Sequence, residues 1–176
     1  MPRKFASVPR FFYFAAVLMM AISFVSCSDD EVENEFSWEE FFAYYEENRA
    51  YIREKKAKVD ENGNLLYNQL VVSGDTVLYR VLSKSGTASA TPNKQTVITT
   101  TLKGELINGS TFQPQMSMEL TPSGVIEGLG AVLLKNTVGE TVEAIIPSTL
   151  GYGYEDYYNI PGGSTLIFTY TIENFN

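Results

Sequence analysis

The pattern of apolar and polar positions changes character three times along the chain. Residues 11–25 form one uninterrupted apolar run, FFYFAAVLMMAISFV, preceded by Arg3, Lys4 and Arg10. From Trp38 the period becomes helical, with Trp38, Phe41, Phe42, Tyr45 and Ile52 falling on one stripe. Ser37-Trp38-Glu39-Glu40 is a capping box at its start. Carboxylates come early (Glu39, Glu40, Glu46, Glu47) and cations late (Arg49, Arg53, Lys55, Lys56, Lys58), an order that complements the helix macrodipole. These features predict a helix over 38–57, ending before Asn62-Gly63. The aromatic stripe is expected to pack this helix on the rest of the domain, the other burial site being a partner protein or dimer mate.

From Leu65 onward the period falls to two. Runs at 65–72, 76–82, 96–106, 116–120, 141–147 and 165–173 read as strands, with turns at Ser73-Gly74-Asp75 and Asn108-Gly109. Residues 83–93 are a Ser/Thr/Gly/Pro loop, and 125–136 suit a helix of two to three turns. The predicted class is α+β, an antiparallel sheet with one short helix and an added N-terminal amphipathic helix.

The apolar run at 11–25 would span about 22 Å as a helix, short of the ~30 Å hydrocarbon core. With its basic flank it reads as a signal peptide. It ends in Phe24-Val25-Ser26-Cys27, which resembles a bacterial lipobox, with Cys27 as the acylated residue. The following Ser28-Asp29-Asp30-Glu31 is similar to the acidic surface-export signal of some Gram-negative lipoproteins. The expected organisation is a signal peptide at 1–26, an acidic tether at 27–36, an amphipathic helical segment at 37–63 and a β-rich domain at 64–176. The expected location is the cell envelope, lipid-anchored to the outer membrane, with display at the surface a further reading of the acidic run.

Composition narrows the chemistry. The 176 residues carry 13 Lys+Arg against 21 Asp+Glu, a formal charge of −8. Loss of Arg3, Lys4 and Arg10 with the leader leaves ten cations against the same 21 carboxylates, a charge of −11. Such a field repels nucleic acid, and any membrane attachment would be through lipid. There is no histidine and one cysteine, Cys27. That removes Ser-His-Asp and Cys-His catalysis, His-ligated zinc and dithiol redox chemistry, and no cofactor or metal is implied. Chemistry must come from aromatics, carboxylates, hydroxyls, backbone groups or shape.

Several spaced motifs then point to a family. Gly104-Glu105-Leu106-x-Asn108-Gly109-x-x-Phe112 is followed by Val125-Ile126-x-Gly128-Leu129. Next come Val138-Gly139-Glu140 and Ile146-Pro147-x-x-Leu150-Gly151-Tyr152-Gly153. Ile160-Pro161-Gly162-Gly163-Ser164-Thr165-Leu166-Ile167-Phe168 closes the series. Together, over about 74–175, they resemble the FKBP-type peptidyl-prolyl cis-trans isomerases. The resemblance implies a twisted antiparallel sheet wrapped around one short helix, with an apolar pocket between them and proline-containing polypeptide segments as partners. It implies that Val125 and Ile126 line the pocket and offer backbone groups. It likewise implies that Tyr152 points its hydroxyl at a substrate carbonyl, that Phe112 and Phe168 wall the proline ring, and that Ile160 sits on the rim. Four positions depart from the family's usual residues: Leu102 for a tyrosine, Gln113 for an aspartate, Met116 for an aromatic and Leu129 for a tryptophan. These departures put turnover in question more than the fold. Two readings follow: an envelope isomerase, with reduced activity, and a degenerate FKBP-like binding or chaperone module. A third makes the tyrosine-rich loop (Tyr152, Tyr154, Tyr157, Tyr158) or the aromatic helix a docking surface.

Overall fold

The run Ile98–Leu106 alternates strictly between buried and half-buried positions. This is the signature of a strand covered on one face and flanked on both edges. In a computed structural model, which describes residues 37–175, it is β3 of a six-stranded sheet. The others are β1 (Asn68–Val72), β2 (Asp75–Lys84), β4 (Thr111–Leu120), β5 (Glu140–Ile146) and β6 (Leu166–Phe175). Their order is β1-β2-β5-β6-β3-β4, and every pairing is antiparallel. Two helices complete the fold, α1 (Trp38–Ala57) and α2 (Glu127–Leu133). The expected signal peptide, the lipidation expected at Cys27 and the expected acidic tether lie outside the described residues.

The chain direction is set by local chemistry. Ser73 and Gly74 both adopt positive φ (44° and 88°), as a tight hairpin between β1 and β2 requires. Gly109 does the same at 84° in the Asn108-Gly109 turn joining β3 to β4. β4 begins at Thr111, five residues before the expected start, and carries Pro114. As an edge strand it has no outer partner to miss the proline's N–H.

Alternation along the strands makes two cores. On one face Val77, Val142, Ala144, Ile146, Leu166, Phe168, Tyr170 and Ile172 pack with Leu129, Val132 and Leu133 of α2. On the other, Leu78 and Ile145 pack with Tyr67, Tyr51 and Ile52, so α1 lies on the back of the sheet. Gly128 is what lets α2 approach: a Cβ there would stand 2.4 Å from Ile146 Cγ2.

α1 has the expected ends, and the backbone N–H of Glu40 donates to the Ser37 hydroxyl. Its docking differs from the expectation. Trp38 and Phe42 are 65% and 56% exposed, while the residue it buries fully is polar, Asn48. Asn48 Oδ1 accepts the Thr165 N–H at 2.7 Å, its Nδ2 donates to the Tyr44 carbonyl, and its own carbonyl accepts the Thr165 hydroxyl. The Tyr44 hydroxyl lies 2.7 Å from that of Ser164. The stripe is only partly used because the chain just before β6 buries a backbone donor, the Thr165 N–H, against this helix. A polar side chain satisfies it and an aromatic one would not.

Behind the sheet's far end, Glu140 holds a buried polar network. Its carboxylate accepts from the Asn136 amide, the Thr137 N–H and Lys84, and Asn136 in turn accepts the Tyr170 hydroxyl. Burial pushes the Glu140 carboxyl up, but these donors outweigh it and hold it below the ordinary 4.5. A depressed carboxyl stabilises the fold above its unfolded value, and that contribution is lost as pH falls through the folded one. Denaturant midpoints of wild type and Glu140→Gln should therefore differ at pH 7, begin to draw together as pH falls below 4.5, and meet only below the lower folded value.

Candidate active site

Between α2 and the concave face of the sheet lies a cavity of about 610 Å³, and no charged side chain lines it. One wall is aromatic. Phe112 of β4 and Phe168 of β6 meet edge to face, 5.4 Å between centroids. Gly104 of β3 makes that possible, since a Cβ there would lie 2.5 Å from two ring atoms of Phe112. The floor is Leu129, 3% exposed, on the first turn of α2. Val125 and Ile126 lead into that helix, Ile126 with an extended backbone of φ −54° and ψ 147°. Ile126 lines the cavity, and its N–H makes no hydrogen bond to a described residue.

The opposite wall is the loop after β5. Tyr152 stacks on Tyr157 at 4.2 Å, and Tyr158 meets Tyr157 edge-on at 4.8 Å. Tyr158 holds a positive φ of 52° and is 89% exposed. The loop is closed by Gly163 N–H to the Gly153 carbonyl and by reciprocal bonds between Tyr157 and Ile160. Ile160 is thereby buried beneath the rim. The Tyr152 hydroxyl has no hydrogen-bond partner among the described residues. Burial, with Tyr157 beside it, raises its pKa, so it stays protonated and available as a donor.

Phe112, Val125, Ile126, Tyr152, Ile160 and Phe168 thus meet around one cavity, although 56 residues separate the first from the last. Of the departing positions, Leu102, Gln113 and Leu129 also line it. Leu102 supplies no polar atom, and the Gln113 amide donates to the Pro114 carbonyl at 3.1 Å. Met116 does not line it. It pairs with Leu102 across the strands but is half exposed, because β4 is an edge strand and nothing covers it there. Met118 and Leu120, two and four residues on, take the inner positions. Strand alternation puts all three on one face, but only the sheet's curvature decides which of them is enclosed. Tyr157, Tyr158 and Asn159 also line the cavity. The density of tyrosines in the loop was the one sequence signal for them. Tyr154 faces away, towards Tyr45 of α1.

The arrangement is an antiparallel sheet with one short helix on its face and, between them, an uncharged pocket with tyrosines on one wall. Residues 88–173 match the family model for FKBP-type peptidyl-prolyl cis-trans isomerase. The chain is 40% identical over 80 residues to the FKBP-type isomerase FkpA of Buchnera aphidicola, a stretch covering 41% of this chain and 30% of that protein. It therefore spans less than a third of that relative's length. The crystal structure of FkpA from Escherichia coli superimposes with a TM-score of 0.66 at 22% identity, covering 97% of this chain and 84% of that one. A peptidyl-prolyl cis-trans isomerase from Pseudomonas syringae gives 0.65 at 23% identity, covering 77% and 95%. The chain carries an FKBP-type peptidyl-prolyl cis-trans isomerase domain.

Proposed function

We propose that this protein is a peptidyl-prolyl cis-trans isomerase of the cell envelope with reduced turnover, held to the outer membrane by lipid on Cys27. The observation that carries the reading is the uncharged cavity in which Tyr152 offers an unengaged hydroxyl opposite the Phe112–Phe168 wall. Rotation about an X-Pro amide needs no nucleophile, only relief of a barrier that makes the uncatalysed step take tens to hundreds of seconds. The twisted amide has lost resonance and is less dipolar than the planar one, so a dry cavity favours it. The proline ring sits against Phe112 and Phe168 above Leu129. Tyr152 and the Ile126 N–H hold carbonyl oxygens of the extended chain, so that rotation is confined to one bond.

What accelerates a reaction is an interaction stronger in the twisted state than in the planar one. The apolar walls bind both about equally. The positions where a hydroxyl and a carboxylate would polarise the wall are Leu102 and Gln113, which supports affinity in excess of turnover. A protease-free isomerase assay on the full chain in mild detergent, paired with binding of a Leu-Pro or Phe-Pro peptide, tests this. The expected result is saturable peptide binding with turnover at least about tenfold below an ordinary FKBP domain, a loss of roughly 1.4 kcal/mol of transition-state stabilisation. Turnover equal to such a domain sinks the reduced-activity reading. Absence of both binding and turnover sinks the site.

The anchor is tested separately. Cys27→Ser should leave the leader uncleaved and abolish fatty-acid labelling, and normal palmitate incorporation into that variant would refute lipidation there.

A further inference from the structure

The loop that carries Tyr152 into the apolar cavity has a second face. Beyond Tyr154, between α1, the start of β2 and residues 147–149, lies a separate cleft of about 300 Å³. Its chemistry is the reverse of the first. α1 lines it with Arg49, Arg53 and Lys56. These fall at i, i+4 and i+7, one face of the helix. Three of the ten cations among the described residues thus meet in one place, in a region that also carries sixteen carboxylates. The facing wall supplies hydroxyls, including those of Thr76 and Thr149.

One carboxylate lines the cleft, Asp75, and it is already engaged. Its Oδ1 accepts the Thr76 N–H at 2.7 Å and its Oδ2 accepts the Thr149 hydroxyl at 2.6 Å. Arg49 and Lys56 make no ion pair with a described residue, and Arg49 leans on Tyr45, with its guanidinium 5.7 Å from the ring centroid. Arg53 pairs only with exposed Glu46, at 3.6 Å. Such a pair contributes little and is readily exchanged for a better anion.

From this geometry we propose that the cleft between α1 and the 147–149 segment is a binding site for a small phosphate-bearing anion, a phosphate monoester or pyrophosphate. Against Asp75 in the cleft and Glu46 beside it the three cations leave one positive charge uncompensated, and a second is freed when a phosphate displaces Glu46 from Arg53. Arg49 and Arg53 present planar forks that pair with phosphate oxygens bidentately, and Lys56 adds a point charge. The site is distinct from the proline pocket: Tyr154 lines one and Tyr152 the other, and no residue lines both.

The test is calorimetric titration of the full chain, in non-ionic detergent at low salt, with inorganic pyrophosphate. Wild type should bind one equivalent. Arg49→Gln with Arg53→Gln should weaken binding at least about tenfold, the scale of losing charged hydrogen bonds. Lys94→Gln, a cation outside the cleft, should leave it unchanged. Asp75→Asn should tighten it about threefold or more by removing the one repelling charge. That gain cannot come from a protein that has failed to fold. No binding by wild type, an equal loss in Lys94→Gln, or an Asp75→Asn variant that fails to gain affinity each overturns the proposal.

Discussion

Replacing Leu102 by tyrosine together with Gln113 by aspartate should raise kcat/KM for an X-Pro peptide by at least about tenfold while changing peptide affinity less than threefold, a difference of about 1.4 kcal/mol at the transition state. Both residues line the cavity, on neighbouring strands, with Leu102 3% exposed and Gln113 half-buried. The Gln113 side chain donates to the Pro114 carbonyl, a bond an aspartate cannot make, so the new carboxylate is free to accept from the new tyrosine. A polarised wall acts on the rotating amide, whereas the aromatic walls that hold the ring are unchanged. The single variants should each give less than half the gain, in free energy, of the pair, since a lone hydroxyl or carboxylate lacks its partner. Progress curves for isomerisation and peptide titrations on the same four proteins check this. A gain in affinity equal to the gain in kcat/KM would show that the departures affect binding and not the twisted state.

Asn48→Leu should destabilise the domain by about 2–3 kcal/mol, although leucine is the more apolar residue and the site is buried. Asn48 is 1% exposed and gives the Thr165 N–H its acceptor at 2.7 Å. Leucine leaves that donor buried and unpaired, which costs more than the added apolar contact returns. The effect should reach the active site. Thr165 directly precedes β6, the strand that carries Phe168, and follows the loop that buries Ile160. Peptide affinity should therefore fall in Asn48→Leu, and the amides of α1 should exchange faster with solvent. Tyr44→Phe, which removes the hydroxyl 2.7 Å from that of Ser164, should show the same signs at about 1 kcal/mol. Urea unfolding and hydrogen exchange measure both. Unchanged stability in Asn48→Leu would mean that α1 is not held by this polar contact.

The legible part of this protein was the part written in local periods. The helix at 38–57 has its cap, charge order and spacing in its own residues, and the structure gives Trp38–Ala57. Strands alternating at period two, with Ser73-Gly74 and Asn108-Gly109 between them, came out as hairpins because the positive φ of Ser73, Gly74 and Gly109 suits few other connections. Motif order placed Phe112, Tyr152 and Phe168 in one site, since closely packed glycines such as Gly104 and Gly128 tie the motifs to contacts that only this arrangement satisfies.

What the sequence did not show depended on curvature and on distant partners. Met116 and Met118 share a strand face and a side-chain type, yet only Met118 is enclosed, because closure depends on how far the edge strand bends over the pocket. The stripe on α1 promised aromatic burial. The domain instead buries Asn48, because the need for an acceptor lies at Thr165, 117 residues away. Tyr152 and Tyr154 are identical in type and separated by one glycine, yet they line different cavities. Residue type and spacing along the chain determined the elements and, through the motifs, six of the residues that line the cavity. Which face of each element meets which other was decided only by tertiary packing, since that depends on groups far apart in the chain that no local pattern encodes.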